Sequence, residues 1–178
     1  MSADPQPSCL CLICAGATES LSEAEVDTLR IVQHHGWQVT KIEADESWPS
    51  QAFSIGLHHS FGHPEVVIFG LATDVMHVII NNIGEDIRGG AHFEASREYP
   101  DILEGYNVVF RAVMPEQYPE HLGWGMWFYN YHPFPVVQLV WPDRQGRFPW
   151  QEGTSAEYQS LQPLLDVPPT ASSPNPAA

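Results

Sequence analysis

Basic side chains are nearly missing from this chain. Of its 178 residues, 7 are Lys or Arg and 22 are Asp or Glu, a formal charge of −15 with neutral histidines. Lys41 is the single lysine, and Arg30, Arg88, Arg97, Arg111, Arg144 and Arg147 are scattered. A surface for a polyanion needs clustered cations, so nucleic acid and anionic membranes are not expected partners. Long apolar runs are missing as well. The stretch from Cys9 to Ala15 is too short for a membrane span or a signal-peptide core, and Met1 to Gln6 has no basic residue. The expectation is a soluble protein of the cytoplasm. Cysteine is confined to Cys9, Cys11 and Cys14, which can staple nothing across a fold and so argue against a secreted disulfide scaffold. There is no internal repeat, no Walker pattern, no G-x-G-x-x-G and no G-x-S-x-G elbow.

What is present suffices for one core. The chain is 43% hydrophobic and 11% aromatic, which argues against global disorder and predicts a single domain. Residues 1–8 read as a flexible N-terminus, residues 9–162 as the folded body, and residues 163–178, with five prolines among Ser, Thr, Asn and Ala, as a disordered tail. Ser22-Glu23-Ala24-Glu25 is a capping box, which with the Gly36 stop predicts a helix over roughly Ser22 to His35. Residues 37–42, 53–57, 66–71, 106–113 and 136–141 read as strands. Thr73 is positioned to cap a second helix carrying Met76, Ile79, Ile80, Ile83 and Ile87. Residues 115–122 read as a short helical connection and Met126 to Tyr131 as an aromatic strand. The order predicts an α+β domain with two main helices on an antiparallel or mixed sheet, because only one good crossover helix lies between strands.

These segments resemble the domain of unknown function 4262 family of small bacterial proteins. The resemblance is carried by Cys11-Leu12-Ile13-Cys14 before Gly16-Ala17-Thr18, by His35-Gly36-Trp37, Phe53-Ser54-Ile55-Gly56-Leu57 and Gly62-His63-Pro64-Glu65, and by Gln138 to Asp143 with Gly146 to Trp150. It implies a shared architecture and carries over no catalytic residue.

Three constellations can carry chemistry. Cys9-x-Cys11-x-x-Cys14 places three soft sulfurs within six residues, and C-x-x-C spacing lets two of them reach tetrahedral geometry around zinc. The fourth ligand is missing locally; His34 or His35, at the end of the first helix, would supply it if that helix folds back, and His35 is the one taken here. The alternative is that the three cysteines are small hydrophobes in an apolar segment. Second, His58, His59 and His63, with Glu65, lie between two predicted strands, where binding groups are often placed. Third, Trp124, Trp127, Phe128, Tyr129, Tyr131, Phe134, Trp141, Phe148 and Trp150 either close the core or wall a flat ligand such as a flavin or a nucleobase. Arg144 and Arg147, beside Trp150, can clamp one anionic group, and a cleft is expected where the His58–Glu65 turn approaches this loop.

Three functions follow from these features. The first is an acidic binding or antagonist module, immunity-like or regulatory, acting on a basic protein partner, as the charge suggests. The second is a small metal- or thiol-dependent enzyme using the cysteine cluster and the histidine loop. The third is a flavin- or nucleotide-binding domain resting on the aromatic wall.

Overall fold

The computed structural model describes residues 9–16 and 20–168; the expected flexible segment 1–8 lies outside them. At its centre are β2 (Gln51–Ile55), β3 (Glu65–Phe69) and β6 (Val136–Val140), buried along their whole length. Such strands must be covered on both faces. With β1 (Gln38–Ile42), β4 (Arg97–Leu103) and β5 (Tyr106–Ala112) they form a six-stranded sheet in the order β1-β2-β3-β6-β5-β4. Neighbours run antiparallel except β3 and β6, which are parallel with Glu65 level with Val136 and Ile68 with Leu139. The fold is a single α+β unit on a mixed sheet.

Successive side chains of a strand point to opposite faces, and here both sets are used. Ala52, Val66 and Ile68 pack with Met76, Ile79, Ile80, Ile83 and Ile87 of α4 (Thr73–Arg88). Phe53, Ile55, Val67 and Phe69 turn the other way, toward Cys11, toward Val32 of α2 (Glu23–His35), and toward Leu122, Phe128 and Tyr129. The polar residues of the buried strands are tied by hydrogen bonds: Ser54 donates to Glu65, Gln138 to the Pro163 carbonyl, and Gln51 through Nε2 to the His121 carbonyl, although its buried Oε1 has no partner among the described residues.

The two long helices stand where the sequence places them. Ser22 and Glu25 cap α2 reciprocally, and Gly36 ends it at φ 97°. Short helices accompany them: α1 (Leu12–Ala15), α3 (Leu57–Phe61), α5 (Tyr118–His121), α6 (Gly123–Phe128) and α7 (Ala156–Leu161), with a 3-10 turn over Pro115–Gln117. Three expectations are corrected. Residues 126–131, read as an aromatic strand, enter through α6 and leave through Asn130 and Tyr131 at φ 51° and 57°; one helical turn brings the rings of Phe128 and Tyr129 into the core, where a strand would point them apart. Thr73 does not cap α4, because its hydroxyl donates to Glu43 and the cap position is Ala72. β4 was not expected, being largely exposed, with Pro100 and a register irregularity between Tyr99 and Leu103 that suit an edge strand.

Of the expected disordered tail, residues 169–178 lie outside the described residues, while its first six are placed against the sheet. Residues 163–168 dock on β6 and β5. Leu165 is 1% exposed and its N–H donates to Gln138, while Asp166 pairs with Arg111 and the Val167 carbonyl accepts from Gln117. Composition marked this stretch as proline-rich and did not register that one leucine and an ion pair can anchor it. Among the described residues no helix is long and apolar enough to cross a membrane. A chain ending at Gln162 should lose about 2–5 kcal/mol of stability, the cost of emptying a buried leucine site. Urea unfolding checks this, and an unchanged midpoint would mean that the docked segment contributes nothing.

Candidate metal centre

β2 and β3 are joined through residues 56–64, and this connection is built around one carboxylate. Gly56 leaves β2 at φ 112°, and a Cβ there would lie 2.7 Å from Val32 Cγ1 and 2.8 Å from the Gly36 carbonyl oxygen, so the turn needs glycine. The backbone N–H groups of Gly56 and His58, at the start of α3, donate to Glu65 Oε1 at 2.8 and 3.1 Å. Ser54 Oγ donates to Oε2 at 2.5 Å and the Tyr129 hydroxyl to Oε1. Glu65 is 2% exposed, and these four donors replace the water it has lost. Burial, reinforced by the neighbouring Glu65 charge, holds the Tyr129 hydroxyl well above its ordinary pKa, so it stays a donor.

With its first turn held this way, α3 presents His59 to the amino-terminal segment. Cys11, extended at φ −67° and ψ 165°, caps α1, and its sulfur accepts from the Cys14 N–H at 3.5 Å. α1 stops at Gly16 in the left-handed region. This single turn folds Cys9, Cys11 and Cys14 around one point. His59 Nδ1 lies 3.8 Å from Cys9 Sγ, 3.3 Å from Cys11 Sγ and 3.4 Å from Cys14 Sγ. All four ligand atoms lie within 4.8 Å of one another, the one such group of three or more found among the described residues.

The dimensions match a tetrahedral ion. Zinc–sulfur and zinc–nitrogen bonds of about 2.3 and 2.0 Å place a tetrahedral sulfur and nitrogen about 3.5 Å apart, and the observed separations scatter around that value. Burial pushes the Cys11 thiol up to about 12 and raises Cys14, and burial lowers His59, which favours its neutral imidazole. Phe128 closes one side, its ring edge-on to His59 at 6.3 Å.

The histidine that faces the three sulfurs is thus not the one expected. His35 is not the fourth group: its ring rests 4.2 Å from that of Trp37 and its carbonyl accepts from Arg88. The middle of α2 packs near Cys11 through Val32, but its last residue turns to Trp37 and Arg88, whereas the histidine loop meets the sulfurs. Of the other candidates of that loop, His63 has a structural task, while the buried Nδ1 of His58 has no hydrogen-bond partner among the described residues. His63 is 1% exposed, with Nδ1 donating to the Pro64 carbonyl at 2.7 Å and Nε2 accepting from the Phe93 N–H at 3.0 Å, so both ring nitrogens are used. His58 lies half-buried against Tyr129, at 5.9 Å.

Nor do the two expected halves of a cleft meet. The loop 56–64 enters β3 at Glu65, level with the start of β6, while Trp141 leaves the far end of β6 and donates to the Phe69 carbonyl at the far end of β3. Four strand residues at about 3.3 Å each separate them. Arg147 is tied to Asp143 at 2.8 Å, and Trp150 stacks on Phe148 under the Arg111 guanidinium. Arg144 is exposed and lines an open groove of about 710 Å³ with Tyr106 and Tyr158, a groove that includes none of the four cluster residues. Phe128, Tyr129, Phe134 and Phe148 are buried, so much of the aromatic group closes the core.

A model of the family described as Domain of unknown function (DUF4262) matches residues 31–155. The match contains Gly56, His59 and Glu65 and begins after the three cysteines. No curated protein and no solved structure matches the chain.

Removing the Glu65 carboxylate strands four donors in the core. Glu65→Ala should therefore cost at least about 3 kcal/mol, measured by urea unfolding in the presence of a chelator to keep metal out of the comparison. A loss below about 1 kcal/mol would show that the carboxylate does not anchor the loop.

Proposed function

Because the chain belongs to the domain of unknown function 4262 family, a membership that brings no activity with it, we propose from its own geometry that it is a zinc-binding domain in which Cys9, Cys11, Cys14 and His59 hold one structural ion. The observation that carries this reading is convergence. Two segments more than forty residues apart in sequence deliver four soft or borderline donors to within 4.8 Å of one another. Chance burial of small hydrophobes does not require a histidine nitrogen to face three sulfurs.

The donor set also selects the role. Three thiolates and one imidazole complete a tetrahedron and leave no position for water or substrate, the mark of a structural rather than a catalytic zinc. A thiol enzyme is the weaker alternative, since three sulfurs converging on one histidine nitrogen form a closed ligand shell rather than one nucleophile beside a base. The metal joins the amino-terminal segment to α3, reinforcing the apolar contacts that Cys9, Cys11 and Ile13 make with the body. Zinc then stabilises the fold by its binding free energy.

A second reading concerns what the domain does with its surface. Among the described residues, six of the seven basic side chains stand in ion pairs, and Arg144 is the one without such a partner. The excess carboxylates are left to solvent, which favours a basic protein partner through long-range attraction.

The full chain, expressed without a tag, should carry one equivalent of zinc by elemental analysis. Cys11→Ser and His59→Ala should each lower zinc affinity by more than the roughly 10–100-fold typical of changes outside the ligand shell, whereas His35→Ala should leave it unchanged. Zinc below about a tenth of an equivalent, with no gain on reconstitution under reducing conditions, contradicts the site. For the second reading, a basic protein should co-purify at stoichiometric ratio from the native host at low salt and dissociate at about 0.5 M salt; its absence counts against a partner.

A further inference from the structure

Cys14 differs from the other three ligands in its exposure. Cys11 is buried and Cys9 half-buried, while Cys14 is open to solvent. Cys11 and Cys14 also face each other across one helical turn, with the Cys14 N–H directed at Cys11 Sγ from 3.5 Å. Their sulfurs are within 4.8 Å, so a bond of about 2.05 Å needs them to close by less than about 3 Å.

We propose that Cys14 is an oxidation site for small hydroperoxides and that Cys11 resolves it, so that peroxide opens the centre; this rests on the zinc reading given above. A metal-bound cysteine is a thiolate. The Cys14 sulfur attacks the terminal oxygen of the hydroperoxide: an S–O bond forms, the O–O bond breaks, and the departing alkoxide or hydroxide takes a proton from water. Cys14 is then a sulfenic acid. The Cys11 thiolate attacks that sulfur, forming the disulfide and expelling hydroxide. Two thiolates have lost two electrons in all and the peroxide has gained them. Only Cys9 and His59 remain as ligands, half of a tetrahedral set, and zinc leaves.

Two features give the event its selectivity. The fully buried Cys11 sulfur is shielded from reagent, which leaves Cys14 as the point of entry. Resolution is local, because Cys11 and Cys14 span a single turn that already holds its two ends together, whereas Cys9 precedes that turn. Cys11 and Ile13 pack against the body and Cys14 does not take part in those contacts, so a thiol reductant and zinc should restore the centre.

The test is native and peptide mass spectrometry of the tag-free, zinc-loaded chain treated with stoichiometric hydrogen peroxide, with released zinc followed by a chromogenic chelator. The expected result is one zinc released per chain, loss of two hydrogens, a disulfide mapped to Cys11 and Cys14, and recovery after reductant and zinc. Zinc retained with Cys14 unmodified overturns the proposal, as does release accompanied only by sulfinic or sulfonic acids, or a disulfide that pairs Cys9 instead. A chain that holds no zinc before peroxide is added fails the zinc reading itself, and the proposal falls with it.

Discussion

One buried carboxylate holds this structure's functional end together. Glu65 opens β3, and in taking hydrogen bonds from Ser54, Gly56, His58 and Tyr129 it fixes the end of β2, the first turn of α3 and the segment after α6 relative to one another. No cation offsets it among these contacts; donors alone do so, which stabilises a buried anion only when each is in place. His59 inherits its position from that arrangement. Three residues after the Gly56 turn, it stands where the amino-terminal sulfurs can reach it. The proposed metal centre is thus a second layer of constraint laid on a first, and the order is physical: the carboxylate cluster belongs to the sheet, while the cysteines belong to a segment with little else to hold it.

This division accounts for where the ion would act. The sheet is covered on both faces by α4 and by the helices around Phe128 and Val32, and it needs no metal to bury its core. The stretch containing α1 offers a few apolar side chains, with Leu10 half exposed. A four-ligand ion is an efficient attachment for such a stretch, because two elements are joined at a point without a large apolar interface. The family match begins beyond the cysteines and includes His59, so the attachment links a segment outside the matched region to the strand connection inside it.

Much of the fold was legible in the sequence because its signals were local. The capping box at Ser22 and Glu25, the stop at Gly36 and the isoleucine stripe of α4 each depend on residues a few positions apart. What escaped was decided over long distances. Nothing local shows that Leu165 fills a site on β6, or that Asp166 finds Arg111. The aromatic stretch before Tyr131 has the composition of a strand and is a helix that packs closely at Gly125, where a Cβ would lie 3.3 Å from the Phe134 ring. The site follows the same rule. The spacing of the three cysteines offered a soft metal as one reading beside that of small buried hydrophobes, but which histidine faces them is decided by tertiary structure, and nearness to a helix end favoured His35. The hint for His59 was Gly56 ahead of it and Glu65 after it, a turn built to hold a short helix rather than an open loop.

The central claim is that three sulfurs and one nitrogen surround a single ion. Zinc K-edge X-ray absorption on the tag-free chain measures that shell directly. A shell of three sulfurs at about 2.3 Å and one nitrogen at about 2.0 Å is the predicted result. A shell of oxygen and nitrogen alone, or one with fewer than three sulfurs, would contradict the assignment of Cys9, Cys11, Cys14 and His59 as the metal centre.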